Sequence, residues 1–328
     1  MKPGKSEPNI FDRAIFKQLH NVRPEVVTGK PRLGSDYSGL KVENGCEVIS
    51  ATATVSFKCE NPGLMAAHFA INNVATSGAK PLGVLINITL PEKLREIKLK
   101  AIESSVSELC DSLNMQIMGG HTEVSDAVVR PVISVTVLGN VPSDRRCSSD
   151  GMKPGDDIVM TKWMGLLGTA LVAAEKRDEL SSRLPEYLIE DAVGFAKLVS
   201  VLPEAGIAAN DKATHGMHDV SNGGIFAAVW EFCEASGCGA TIDLKAIPVK
   251  QETIEVSEFF GINPYELMGQ GSLLIATKDG TGLVEKLNAA GVASAIIGKS
   301  NSSNDRIVVN GDETRFLERP VSDAFYNI

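Results

Sequence analysis

The sequence predicts a mixed α/β protein, with an α+β arrangement in its first half, built from two domains. Its 328 residues exceed the roughly 250–300 at which a single hydrophobic core stops growing. Up to about residue 140, segments that alternate apolar and polar side chains are separated by two helical segments. Beyond a linker at 142–155, rich in proline, glycine and polar residues, helical and strand-like segments alternate. This change of pattern separates the two predicted domains.

The first domain is predicted to span residues 33–141. Apolar side chains recur at every second position in three segments, which predicts half-buried strands at 46–57, 84–90 and 133–138. Helices are expected at 62–77 and 91–113, with Pro62 in the first turn of the former. The apolar run at 115–118 supplies a further strand. The order β-α-β-α-β-β indicates one compact α+β domain. The half-buried strands suit a sheet with one face on helices and the other shared with something else, which a partner subunit could supply.

The second domain is predicted to span residues 156–328 as an α/β layer domain. Strands are expected at 157–161, 240–244, 272–277, 294–298 and 306–309. Helical stretches are expected at 166–176, 186–202, 224–235 and 281–290. Residues 1–32 are predicted to be a mobile polar segment followed by a helix over 11–19.

Composition excludes several functional classes. The net charge is −9 and no basic run occurs, which argues against nucleic-acid binding. No apolar stretch approaches the roughly 18 residues needed to span a bilayer, and the N-terminus lacks a signal-peptide core. The six cysteines form no CxxC pair, so a zinc site is not expected. We therefore expect a cytoplasmic protein without membrane contact.

Four short segments combine glycine with polar residues at the ends of predicted elements. The first, GSDYSG at 34–39, holds Asp36 between glycines, which suits a cation site or an ordinary turn. The second, INNVATSGAKP at 71–81, places Asn72 and Asn73 within a helix. Successive helical positions point about 100° apart, so at most one of these amides faces a ligand squarely. A solvated helix face is the alternative.

The third segment, MGGHTEV at 118–124, directly follows a predicted strand. Paired glycines let a backbone approach a ligand closely. His121 and Glu123 are two residues apart, so in an extended chain they point the same way and could share a metal or a proton.

The fourth segment, HGMHDVSNGGI at 215–225, precedes an apolar helix. Free amides at Gly223 and Gly224 would form an anion site at the helix N-terminus. Simple capping by Ser221 or Asn222 is the alternative. Lys162, after the strand at 157–161, could neutralise a phosphate or be a solvated lysine.

In this order and spacing, the four segments resemble the AIR-synthase-like superfamily, which contains AIR synthase, FGAM synthase, selenophosphate synthetase, thiamine-monophosphate kinase and HypE. The HypE-type pattern fits best. NNVATSGAKP is similar to the family's N-D-x-A-x-S-G-A-x-P, GGHTEV to its G-G-D-T-x-V, and MHDVSNGG to its M-H-D-x-T-x-G-G. The segment NPYELMGQG at 263–271 also resembles the family's second domain.

The resemblance implies a PurM-like two-domain fold. The first domain would pair its sheet with that of a second copy to form a dimeric β-barrel, and ATP with Mg²⁺, Mn²⁺ or another divalent metal would lie between the domains. Metal ligands would be Asp36, Asn73, His121 and Glu123, and the catalytic residues Asp219, His121 and Glu123. The cofactor-binding residues would be Asp36, Asn72, Asn73, Gly119, Gly120, Thr122, Lys162, His218, Ser221, Gly223 and Gly224.

The sequence departs from the family where acids are expected. Asn73 and His121 replace aspartates, and Ala53 stands where the family often has one. HypE acts on a cysteine at its own chain end, whereas this sequence has no cysteine after Cys238, so its usual reaction is not expected here.

Two functions remain open. The first is ATP-dependent activation of a carbonyl or amide oxygen by phosphoryl transfer. The second is a HypE-like accessory role in a maturation pathway, in which the protein binds nucleotide or a protein partner with weak catalysis or none. A third alternative is an unrelated α/β enzyme in which the motif matches are accidental.

Overall fold

The chain folds as two compact units. The computed structural model describes residues 24–28, 34–42 and 45–328. Of these, the N-terminal unit comprises 24–28 and 37–146, and the C-terminal unit comprises 34–36 and 147–328. The helix predicted over 11–19 lies outside the described residues.

The N-terminal unit contains a five-stranded sheet of order β1-β2-β5-β3-β4. Only the β3–β4 pair is parallel; the other neighbours are antiparallel. The strands are β1 (Ser38–Lys41), β2 (Cys46–Val55), β3 (Lys80–Leu90), β4 (Gln116–Val124) and β5 (Val132–Pro142). The sequence pattern located β2, β3 and β5 within a few residues, whereas β1 is too short to show a pattern. The strand predicted at 115–118 continues through Val124, so the segment at 118–124 lies within β4 and does not follow it.

Two helices, α1 (Pro62–Ala75) and α2 (Glu96–Leu113), belong to this unit. The fully buried strand residues Ile49, Val135 and Val84 form its core together with apolar residues of α1. Helix α2 begins at residue 96 and not at 91 as predicted. The chain makes a turn first, in which the amide of Leu94 donates to the carbonyl of Pro91.

The opposite face of this sheet carries polar and exposed apolar side chains. Thr52, Thr136 and Leu85 stand in register across β2, β5 and β3. The hydroxyls of Thr52 and Thr136 are 2.8 Å apart, those of Thr54 and Ser134 2.7 Å, and Leu85 is exposed. The alternation therefore separates a buried face from an accessible one, as the strand pattern predicted.

The C-terminal unit contains a seven-stranded sheet of order β12-β11-β8-β10-β6-β9-β7. Only β8 and β11 pair in parallel. The strands are β6 (Asp157–Thr161), β7 (Thr214–Asp219), β8 (Gly239–Asp243), β9 (Leu273–Thr277), β10 (Ser294–Asn301), β11 (Arg306–Asn310) and β12 (Glu313–Phe316). The sequence pattern did not predict the edge strand β7, because its sequence, THGMHD, shows no apolar alternation.

The helices of this unit are α3 (Leu166–Glu175), α4 (Arg177–Leu180), α5 (Glu186–Gly194), α6 (Leu202–Ala209), α7 (Gly224–Ser236), α8 (Gln251–Phe260) and α9 (Gly280–Ala289). The helical stretch predicted at 186–202 is instead α5 followed by a 3₁₀ turn, Phe195–Leu198, before α6 begins. Helix α7 packs Phe226, Val229 and Phe232 into a core with Ile158 and Leu274 of the sheet. This packing fixes α7 beside the functional segment at 215–225.

Among the described residues, no single helix is long and apolar enough to cross a membrane. The bent pair Glu186–Leu198 and Leu202–Ala209 meets the length and composition criteria only when taken together.

Candidate functional site

A buried cluster of ionisable side chains lies at the end of strand β7. His218 Nδ1 is 2.9 Å from both carboxylate oxygens of Asp36. One ligand atom from each of Asp36, His218 and Asp219 lies within 4.8 Å of the others. Within residues 24–28, 34–42 and 45–328, no other group of three or more His, Cys, Asp or Glu side chains meets this criterion.

Gly34 allows the segment that carries Asp36 to lie against helix α7. Its φ of +75° is in the left-handed region. A Cβ at this position would overlap the carbonyl oxygen of Glu231 and crowd the side chain of Ala235. Glycine is therefore required where the chain approaches the α7 backbone. This close approach brings Asp36 to a histidine 182 residues further along the chain.

Asp36, His218, Glu231 and Arg319 form a row of side chains with alternating charges, which we call the charge chain. His218 Nε2 is 3.6 Å from Glu231 Oε2, an ion pair too long for a hydrogen bond. Arg319 Nη2 donates to Glu231 Oε1 at 3.0 Å. Each of these four side chains, from Asp36 to Arg319, is at most 10% exposed. Buried charges need partners, and each side chain of this charge chain has a neighbour of opposite charge.

His218 carries a proton at neutral pH. Burial by itself lowers the pKa of the imidazole, but the charge and hydrogen bond of Asp36, with Glu231 behind it, outweigh burial and raise the pKa to about 10. An imidazolium has no lone pair for a metal. The oxygens of Asp36 and Asp219 are thus the cation ligands that this cluster offers, and they suit a hard cation such as Mg²⁺.

The loop before α7 is already hydrogen-bonded within the protein. The amide of Gly223 donates to Asp323 Oδ2 at 2.6 Å, and that of Gly224 donates to the carbonyl of Ser221 at 3.1 Å. The expectation that these two amides are free is therefore wrong. An internal carboxylate occupies the position that was predicted for an external anion.

Asp323 is buried and links this loop to a neighbouring one. Its Oδ1 accepts hydrogen bonds from the amides of Met268, at 3.2 Å, and Phe325, at 2.8 Å. Burial raises the pKa of Asp323 to about 6, although the three amide hydrogen bonds oppose this rise. Asp323 is therefore largely ionised at neutral pH and serves as an internal cap for the loop.

Lys162 is held inside the C-terminal unit. Its Nζ is 2.6 Å from Glu204 Oε1 and donates to the carbonyls of Ser200 and Gly271 at 2.6 and 2.7 Å. Burial lowers its pKa, and Glu204 opposes this effect. These contacts favour a structural role for Lys162 over the predicted phosphate contact.

In the N-terminal unit, Gly119, Gly120, His121, Thr122 and Glu123 lie along strand β4. His121 Nε2 and Glu123 Oε2 are 3.5 Å apart, and both side chains are more than half exposed. The structure thus confirms that this pair points the same way. A Cβ at Gly120 would overlap the carbonyl oxygen of Ile86, so strand pairing alone requires this glycine. The metal-binding role of His121 and Glu123 stays a prediction.

The two amides of helix α1 differ in accessibility. Asn72 is fully buried, whereas Asn73 is half-buried. The backbone carbonyl of Asn73 accepts a hydrogen bond from the hydroxyl of Thr76 at 2.7 Å. This difference agrees with the expectation that at most one amide of the pair can face a ligand.

The sequence analysis missed Glu231, Arg319 and Asp323. A signal existed for Glu231, because an acid within the apolar run GIFAAVWEF predicts a buried, paired carboxylate. Arg319 and Asp323 lie in a polar stretch without periodicity, so nothing local marks them.

Comparison with known proteins identifies the family. The AIR synthase related protein family matches through its N-terminal domain over residues 35–141 and its C-terminal domain over residues 153–310. The chain belongs to the AIR synthase-related family. Carbamoyl dehydratase HypE of Rhizobium leguminosarum is 28% identical over 280 residues, which cover 81% of this chain and 77% of that protein.

Solved structures of family members confirm the PurM-like fold. A HypE–HypF complex aligns with a TM-score of 0.79 at 22% identity, covering 95% of this chain and 99% of that one. A HypE structure in complex with ATP aligns with a TM-score of 0.73 at 18% identity, covering 99% and 97%. At these identities the agreement concerns the fold.

We predict that His218 stays protonated well above neutral pH. Because its folded-state pKa of about 10 lies above the ordinary 6.5, its proton stabilises the folded state in full below about pH 6.5, and this stabilisation is lost as the pH rises through about 10. NMR of ¹⁵N-histidine-labelled protein measures this titration, and the His218→Gln variant assigns the signal. A midpoint near 6.5 would contradict the buried ion pair.

We predict that Glu231→Gln destabilises the protein by about 3–5 kcal/mol, because two buried cations lose their shared carboxylate. Glu234→Gln on the same helix is the matched control. Glu234 pairs with Arg306 at a partly exposed position, so its loss costs about 0–1 kcal/mol. Urea unfolding measures both values, and equal losses would refute the proposed charge chain.

Proposed function

We propose that this protein is a HypE-like, ATP-dependent enzyme that activates a carbonyl or amide oxygen by phosphoryl transfer. The buried Asp36–His218–Asp219 cluster carries this proposal. Two carboxylates, brought together from distant parts of the chain, supply the oxygen ligands that a nucleotide-bound Mg²⁺ prefers.

Bound MgATP would supply the transferable phosphoryl group and the positive charge that neutralises it. The protein would supply position and charge. Asp36 would hold the cation in an orientation fixed by His218, whose imidazolium cannot compete for the metal. Asp219 would ligate the cation or orient the acceptor oxygen. On β4, His121 and Glu123 stay predicted metal ligands, with Glu123 standing in for the aspartate replaced by His121.

The relatives support ATP as the cofactor. One is named a carbamoyl dehydratase, and a structural neighbour was solved in complex with ATP. The oxygen-rich ligand set supports Mg²⁺, and Mn²⁺ or another divalent metal is the alternative. A cytoplasmic location belongs to the same proposal.

An accessory role is the second candidate. Internal acceptors hold the amides of Gly223 and Gly224, so this loop offers phosphate fewer donors than its glycines suggest. This favours nucleotide binding without efficient turnover. A HypE relative was solved with HypF, and an accessory protein would likewise act through a protein partner in a maturation pathway.

We predict that MgATP raises the unfolding temperature of the wild-type protein and that ADP forms when a suitable amide or carbonyl acceptor is supplied. Asp36→Asn and Asp219→Asn should each lower kcat/KM by about a hundredfold or more, because a ligand of the charge-neutralising cation is lost. Coupled ADP release across a panel of such acceptors measures this.

Asp178→Asn, which alters an exposed carboxylate of α4, is the matched control and should keep wild-type activity. A MgATP-induced thermal shift without turnover on any acceptor would favour the accessory role. Absence of both the thermal shift and turnover would refute both candidates.

We further propose that the protein is a homodimer in which a second copy covers the accessible face of the N-terminal sheet. The register row Thr52–Thr136–Leu85 and the exposed Met118 support this proposal. Leu85→Glu should yield monomers, because a charge would be buried in the interface, whereas Leu198→Glu, at a similarly exposed leucine of the other unit, should not. Sedimentation equilibrium measures this, and a monomeric wild type would contradict the proposal.

A further inference from the structure

The segment at 319–323 lies close to residues that support the candidate site at three points. Arg319 Nη2 donates to Glu231 Oε1 at 3.0 Å. Pro320 lies near Gly223, because a Cβ at that glycine would be 3.8 Å from the Pro320 side chain, with Ala227 nearer still at 2.7 Å. Asp323 accepts hydrogen bonds from the amides of Gly223 and Met268. None of the three residues belongs to the ligand set of the site.

We propose that the 319–323 segment is a positioning element, in which Arg319 orients the Asp36 carboxylate through Glu231 and His218, and Asp323 holds the loop that follows Asp219. This inference rests on the proposed function, because it concerns the cation site formed by Asp36 and Asp219.

Arg319 acts on Asp36 through two intermediate side chains. Glu231 uses one carboxylate oxygen for Arg319 and turns the other towards His218 Nε2. The opposite nitrogen of the same ring binds Asp36. Without Arg319, Glu231 loses the hydrogen bond that holds its Oε1, and its position beside His218 is less fixed. The imidazolium would then shift, and Asp36 would move with it.

Asp323 acts on the other side of the site. The amide of Gly223 lies four residues after Asp219, and the amide of Met268 belongs to the loop that leads into β9. One carboxylate holds both loops at 2.6 and 3.2 Å. An asparagine would present an amide N–H to one of these donors, so one of the two contacts would be lost.

Simple packing would not produce the charge dependence that this geometry implies. Arg319 stacks loosely on Trp230, with its guanidinium carbon 5.9 Å from the ring centroid, so much of its contribution lies in its charge and hydrogen bond. Arg319→Lys retains the charge, whereas Arg319→Gln removes it. The adjacent Glu318 is exposed, so Glu318→Gln is the matched control within the same segment.

The test measures binding of Mn²⁺ with the non-hydrolysable analogue AMPPCP to the full chain by isothermal titration calorimetry. Arg319→Gln and Asp323→Asn should each weaken the Kd by about tenfold, and Arg319→Lys by less than about threefold, while Glu318→Gln should bind as wild type does. Circular dichroism and thermal unfolding verify that each variant is folded at the titration temperature. Asp323→Asn keeps the test decisive if Arg319→Gln does not fold.

A double-mutant cycle separates positioning from general stability. In an Asp36→Asn background, Arg319→Gln should weaken binding by less than about twofold, because its effect passes through the carboxylate already removed. The same tenfold loss in both backgrounds would overturn the proposal. Wild-type affinity in both Arg319→Gln and Asp323→Asn would overturn it while leaving the proposed function intact. A wild-type chain that does not bind the probe would overturn both.

Discussion

The buried ion pair between His218 and Asp36 is the interaction on which the site depends. It joins an edge strand of the C-terminal unit to a segment 182 residues earlier in the chain. That segment fits only because Gly34 can lie against the α7 backbone. The pair is stable in the interior only because Glu231 and Arg319 complete the alternation of charge, since an isolated buried imidazolium would be costly.

This arrangement determines what the cluster can bind. Counting formal charges, His218 and Arg319 balance Asp36 and Glu231, and Asp219 supplies the remaining negative charge. A site with so little net charge would hold a bare divalent cation weakly and bind it better when a nucleotide brings phosphate ligands of its own. The electrostatics therefore agree with a nucleotide-linked hard cation.

The glycine loop before α7 shows how tertiary contacts can change the role of a motif. Two glycines before an apolar helix are typical of an anion site, and the sequence alone supports that interpretation. In the folded chain Asp323 supplies the anion, 100 residues further along. The same holds for Lys162, whose place after a strand suggests a phosphate contact but whose ammonium is surrounded by Glu204 and carbonyl oxygens.

The sequence by itself determined the two-domain α/β class, strands β2, β3 and β5, helices α1, α3 and α7, and the shared orientation of His121 and Glu123. These features follow from local periodicity, because a side chain's direction repeats every two residues in a strand and every 3.6 in a helix. The resemblance of four motifs extended this to the family. Only the tertiary structure decided that His218 binds Asp36, that Glu231 and Arg319 support it, and that Asp323 caps the Gly223 loop. Each of these contacts joins segments far apart in the chain. Local sequence periodicity gives the direction of a side chain within its own helix or strand, but it does not determine which distant residue that side chain will contact.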